Sequence, residues 1–184
     1  MTMKHIIGFL VGVFLLLEGM ALATAEETSA KAYCADANYG RLDFWLGTWK
    51  VSWGKGDKRG EGINRIRKIY EGCVVEERFD GGVMGGHHFR GGSYSIFDKH
   101  SGQWRQTWVD NQGGYFDFYG KDLGKEFVFE TRPETSRAGP LRRMLFTDIT
   151  ADSLTWRWQK SEDGGRNWTD LWVIYYERLS ETSN

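Results

Sequence analysis

The sequence predicts an all-β protein: a single antiparallel up-and-down barrel of about ten strands, preceded by a short helical turn. Three observations predict it. From residue 40 onward, Val, Ile, Thr and aromatic residues gather in short runs, the composition that packs on a pleated surface. Connectors such as Asp98-Lys-His-Ser-Gly102, Asp110-Asn-Gln-Gly-Gly114, Asp122-Leu-Gly124 and Asp163-Gly-Gly165 separate the runs, with residues that tolerate positive φ. No segment sustains a long helical period. Ten successive short strands in an open sheet would leave two edges unpaired, and closure removes them while giving the apolar faces a common interior. A two-sheet sandwich is the competing arrangement.

The elements follow in chain order. Lys4, the twelve-residue apolar run Ile6–Leu17 and the small residues Ala21-Leu22-Ala23 and Ala23-Thr24-Ala25 form a secretory signal, with cleavage expected after Ala25. Twelve apolar residues fall short of the roughly 20 that span a bilayer, and Glu18 closes the run. Residues 26–40 form an N-terminal segment. In an exported chain, Cys34 and Cys73 are expected to join in a disulfide that ties this segment to the barrel; two buried free thiols are the alternative. A helical turn is expected around Ala37–Leu46. Strands are expected at Thr48–Trp53, Gly62–Tyr70, Cys73–Phe79, His88–Phe97, Gln103–Val109, Tyr115–Tyr119, Lys125–Thr131, Leu141–Ile149, Ser153–Lys160 and Trp168–Arg178. The barrel domain covers 41–179 and a tail 180–184. Gly81-Gly82 and Gly85-Gly86 read as a mobile loop at a barrel mouth, and Thr135–Pro140 as a flexible loop; 26–33 and 180–184 read as loose ends.

Charge and motif content exclude several function classes. A formal net charge of −1 with no long run of one sign lacks the basic footprint of a nucleic-acid binder. His87 and His88 would point to opposite sides of a strand, and with His100 they offer no convergent set for a metal, so no metal or cofactor is expected. Ser93 and Ser95 have no partner spacing for a catalytic triad. The glycine pairs lack the strand-to-helix context of a phosphate loop. Ser161–Trp168 nearly matches an Asp-box and reads as a hairpin turn.

The segment Asp43-Phe-Trp-Leu-Gly-Thr-Trp49 resembles the Gly-x-Trp opening of calycin barrels, the lipocalin superfamily. With Gly72-Cys-Val-Val-Glu-Glu77, Gln103-Trp-Arg-Gln-Thr-Trp-Val-Asp-Asn-Gln-Gly113 and Ser161-Glu-Asp-Gly-Gly-Arg-Asn-Trp168, the chain is similar over about 42–178 to exported bacterial proteins grouped as domain of unknown function 1579. The resemblance implies a calycin-like barrel and brings no assigned substrate. Calycin relatives that hold haem use a histidine near the C-terminal end, and this chain has none after His100.

Strand alternation selects the candidate interior, because successive side chains point to opposite faces. Trp104, Gln106, Trp108 and Asp110 share one face; Cys73, Val75, Glu77 and Phe79 another; Arg142, Met144 and Phe146 a third; Trp156 and Trp158 a fourth; Trp168, Asp170, Trp172, Ile174 and Tyr176 a fifth. Trp45, Trp49 and Trp53 read as core. Glu77, Gln106 and Arg142 are polar among aromatics, and each needs a partner when buried. Either Glu77 and Arg142 form an internal ion pair beside Gln106, or the three line a cavity and orient a ligand. The second arrangement makes Glu77, Trp104, Gln106, Trp108, Arg142, Trp156 and Tyr176 the ligand-binding set, for a small apolar or amphipathic molecule with lipid-like ones favoured. A calycin-type enzyme with Glu77 as acid or base, and a solid-cored envelope module, are the alternatives.

Overall fold

The computed structural model describes residues 33–132 and 139–180; the expected signal segment, most of the expected 135–140 loop and the last four residues lie outside them. Ten antiparallel strands form a closed up-and-down barrel: β1 (Gly47–Trp53), β2 (Gly60–Ile69), β3 (Val74–Met84), β4 (His87–Asp98), β5 (Gln103–Asp110), β6 (Tyr115–Asp122), β7 (Phe127–Glu130), β8 (Leu141–Thr147), β9 (Ser153–Ser161) and β10 (Thr169–Arg178). Each strand pairs with its sequence neighbours, and β1 closes the ring on β10, with Val51 opposite Tyr176. Among the described residues no helix is long and apolar enough to cross a membrane.

All ten expected strands are present, with shifted ends. The largest shift concerns the glycine pairs. They are not a loose loop: β3 continues through Gly81 and Gly82 by way of a bulge between Asp80 and Val83. Gly85 and Gly86 alone make the turn, both at positive φ, with Met84 opposite His87. A two-residue hairpin with positive φ at both positions matches the twist of the flanking strands, and glycine adopts it without a Cβ clash.

The two ends of the barrel differ. At the end holding the β2–β3 turn, the segment before β1 folds across the opening as two 3₁₀ turns, Ala37–Gly40 and Asp43–Trp45. Leu42 and Trp45 are buried there, and Phe44 packs on Phe127 and Phe146. The Cys34–Cys73 disulfide fastens this plug to the β2–β3 turn. Below the plug the interior is solid, filled by Trp49, Trp104, Phe127, Phe129 and Phe146. At the opposite end no plug is present among the described residues.

Packing in the solid half is tight enough to demand one glycine. Gly120 sits on β6 between Trp104 of β5 and Phe129 of β7. A Cβ there would come within 2.6 Å of the Trp104 Cβ and 2.7 Å of Phe129. The Gly120→Ala variant is expected to lose about 1–3 kcal/mol of stability by overpacking, read as a lower midpoint in urea unfolding.

Candidate functional site

The open half of the barrel holds a cavity of about 200 Å³. Its walls are almost wholly aromatic: Trp108, Trp156, Trp158 and Trp172, with Phe79, Phe89, Phe116 and Phe118. Met144 and Ile174 complete the apolar lining, and Glu77, Tyr176 and Asp110 are its polar members. The rings brace one another. Trp156 and Trp158, two residues apart on β9, stack at 6° with centroids 6.4 Å apart. Trp172 meets Trp156 at 87°, and Trp158 meets Phe118 at 85°.

Glu77 forms the floor. It is 6% exposed, and its carboxylate is held from both sides. Asn64 of β2 donates from Nδ2 to Oε1 at 2.7 Å, and Ser93 of β4 donates from Oγ to Oε2 at 2.7 Å. Asn64 also donates to the Tyr176 hydroxyl at 3.0 Å, which joins β10 to the cluster, while its own Oδ1 is unpartnered among the described residues. Among the described residues no cation pairs with Glu77, whose partners are Asn64 and Ser93. Burial therefore dominates over the two hydrogen bonds and pushes its carboxyl from 4.5 up to about 7. Burial, and then the neighbouring Glu77, raise the Tyr176 phenol above its ordinary value. The carboxyl therefore keeps a proton near neutrality that an exposed carboxyl would have lost, while the phenol stays neutral there as an ordinary phenol does.

Asp110, at the open end of β5, behaves differently. Burial opposes its charge, but it accepts hydrogen bonds from the Trp108 indole at 3.0 Å and from the amides of Gln112 and Gly114, and these keep its carboxyl below the usual range. The carboxylate shapes the Asp110–Gly114 turn and fixes the Trp108 ring at the mouth.

Of the seven sequence candidates, the structure brings together four in the cavity: Glu77, Trp108, Trp156 and Tyr176. Trp104 and Gln106 also point inward but lie in the solid half. Trp104 packs on Phe97 and Phe127. Gln106, 2% exposed, donates to Ser95 Oγ at 2.8 Å, and its Oε1 is unpartnered among the described residues. Arg142 is at the rim, near the start of β8, where its guanidinium leans on the carbonyls of Pro140 and Leu141. The Glu77–Arg142 ion pair, one of the two arrangements the sequence allows, is absent: Arg142 stands one residue into its strand, whereas Glu77 lies in mid-strand and is served by Asn64 and Ser93.

In β10 a bulge between Asp170 and Trp172 breaks the alternation, so Trp172, Ile174 and Tyr176 face inward while Trp168 and Asp170 do not. Asp170 instead bonds Arg157 and Gln159, and Trp168 carries the Arg143 guanidinium 4.2 Å over its ring. His87 and His88 are exposed, and His88 bonds Asp80. Among the described residues no His, Cys, Asp or Glu group could hold a metal ion. The residues missed from the sequence are Asn64 and Ser93, together with the walls Phe89, Phe116 and Phe118; Phe79, Trp158 and Trp172 fall on the interior faces that alternation selects but outside the expected ligand set. Asn64 carried a usable signal: it shares a strand face with Ile66, where an amide has no solvent.

No family model matches the sequence, and no curated protein matches it. Among solved structures the chain is similar to a redesigned β-barrel, at 11% identity over 76% of this chain and 96% of that one, with a TM-score of 0.38. It is also similar to a protein of unknown function from the DUF3598 family of Nostoc punctiforme, at 10% identity over 78% of this chain and all of that one, with a TM-score of 0.25.

Proposed function

We propose that the chain is an exported barrel, calycin-like in kind, that binds a compact small molecule in the cavity above Glu77. The observation that carries this reading is the division of the interior: one half is packed solid, while the other keeps a void of about 200 Å³ lined by indoles and phenyls around a few polar groups. That is the make-up of a small-molecule pocket. Its size points to an occupant about as large as one substituted ring, since an apolar cavity of about 150 Å³ already accepts benzene. The volume therefore favours a compact ligand over a long acyl chain. The Cys34–Cys73 bridge supports residence in an oxidising compartment after cleavage of residues 1–25. Trp108, Trp156 and Tyr176 act as walls in this reading and Glu77 as the orienting group, whereas Trp104, Gln106 and Arg142 serve the barrel itself.

A second reading is enzymatic. It is favoured by Glu77, whose carboxyl at about 7 suits proton transfer to or from a bound molecule.

Native mass spectrometry of protein isolated from its own host is expected to show a retained small molecule. Added 2-phenylethanol is expected to perturb tryptophan fluorescence in the wild type. Met144 lines the cavity, and Met144→Trp would fill it; binding should then fall at least tenfold while the β-sheet circular dichroism stays. No retained molecule and no fluorescence response to any ring-sized probe would refute a binding cavity.

A further inference from the structure

The chemical class of the ligand can be read from the charge balance of the cavity, and this step rests on the binding reading above. We propose that the ligand is a compact organic monocation, an amine or quaternary ammonium, held between the Glu77 carboxylate and the indole walls. Glu77 is a buried acid without a counter-ion. Among the described residues, no Lys, Arg or His lines the cavity. Each Glu77 oxygen accepts one bond, from Asn64 or from Ser93, and a carboxylate oxygen has room for a second donor. A neutral ligand would leave this acid uncompensated; an anion would repel it. An ammonium supplies both the missing charge and the missing donor.

The walls fit the same charge. Trp is the strongest aromatic partner for a cation, and four of them surround the void. Trp172 stands at 87° to Trp156 and Trp158 at 85° to Phe118, so the walls are not one parallel stack. A cation seeks the faces, where the ring quadrupole is negative. Asp110 is a second acid in the lining and adds negative potential there, while Arg142 stands at the rim outside the lining.

The groups that face Glu77 define how binding should respond to pH. From β2 come Asn64 and Ile66, from β4 Ser93, and from across the barrel Tyr176 of β10. Asn64, Ile66 and Ser93 do not titrate near neutrality, and the Tyr176 phenol is held protonated there. Asp110 at the mouth is held ionised. Glu77 is thus the group that changes charge between pH 5.5 and 8.

Three probes of one shape separate the possibilities: 2-phenylethylammonium, 2-phenylethanol and phenylacetate, titrated calorimetrically into the disulfide-intact protein. At pH 8 the ammonium is expected to bind at least tenfold more tightly than the alcohol, with phenylacetate weakest. Ammonium affinity should fall by up to about thirtyfold from pH 8 to pH 5.5, following ionisation of Glu77 with its carboxyl at about 7. At pH 6.5, binding should release protons, seen as a heat that changes with buffer ionisation enthalpy. Glu77→Gln should erase the ammonium preference. Equal binding of alcohol and ammonium, or an ammonium preference that persists in Glu77→Gln, overturns the cationic assignment while the binding cavity stands. Failure of all three probes to bind at either pH overturns the binding reading and this inference with it. The pH series uses the wild type alone, so it decides the matter even if the variant does not fold.

Discussion

Trp49→Ala is expected to cost about 3–5 kcal/mol, the range for deleting a large aromatic from a packed core. Trp49 is fully buried, and its indole donates to the Trp45 carbonyl at 2.8 Å. Its ring lies edge-on to Tyr176 at 5.9 Å and carries the Arg178 guanidinium at 4.0 Å. Arg178 in turn donates to the carbonyls of Leu46, Phe44 and Ala151. One ring therefore joins the plug, the first strand and the last strand, where the barrel closes. Removing it leaves a void, a carbonyl without its donor and a guanidinium without its platform. Urea unfolding monitored by circular dichroism should show the loss, with Tm lower by roughly 10 °C. Trp49→Phe keeps most of the volume and should lose far less. A decrease below 1 kcal/mol for the alanine variant would mean that the closure does not depend on this ring.

Glu77→Gln is expected to stabilise the protein, and only at neutral and alkaline pH. In the unfolded chain Glu77 ionises near 4.5, and in the folded one near 7. Between those values the native state holds a proton that the unfolded state has lost. The group's contribution is thus complete below pH 4.5 and disappears as pH rises through 7. The difference amounts to about 3 kcal/mol. Glutamine keeps both hydrogen bonds, with Oε1 accepting from Asn64 and the amide donating to a rotated Ser93 hydroxyl, and it has no charge to bury. The variant should match the wild type at pH 4.5 and exceed it by up to that amount at pH 8. Subtracting the two curves cancels the opposite trend of exposed acids such as Asp80 and Asp163, both held near 2, the first mainly by His88 and the second by Asn167. A constant difference from pH 4.5 to 8 would show that Glu77 is not a buried, uncompensated acid. The stabilising sign is also a statement about function. An acid that weakens the fold at neutral pH and touches a cavity is better placed for a ligand than for the scaffold.

The sequence showed some of this directly. Runs such as Gln103–Val109 alternate so regularly that Trp104, Gln106 and Trp108 were assigned to one face, and all three do point inward. Cys34 and Cys73 were paired from composition and compartment, and the bridge is there. Depth was not legible. Trp104 and Trp108 are indistinguishable by alternation, yet one is packed in the solid half and the other lines the void, because only the plug determines which half is filled. Asp170 and Trp168 were misplaced for a related reason: a one-residue bulge reverses every side chain beyond it, and no residue type at Leu171 announces it. Alternation and polarity make an Arg142–Glu77 pair one of two possible arrangements, but long-range pairing depends on how far along its strand each residue stands.

The chain's local chemistry was thus enough to determine the number of strands, their antiparallel order and the aromatic character of the interior. Each of these follows from patterns read over a few neighbouring residues. Which polar groups meet was decided by strand register, which sets Asn64 and Ser93 beside Glu77, and by closure, which adds Tyr176. Asn64, Glu77, Ser93 and Tyr176 come from four strands, and β1 pairing with β10 brings the last of them across 112 positions to bond Asn64. That meeting leaves a carboxyl dry and without a counter-ion. The cause is the three-dimensional arrangement of the barrel, in which a residue's solvent and charge neighbours are set by strands far from it in sequence.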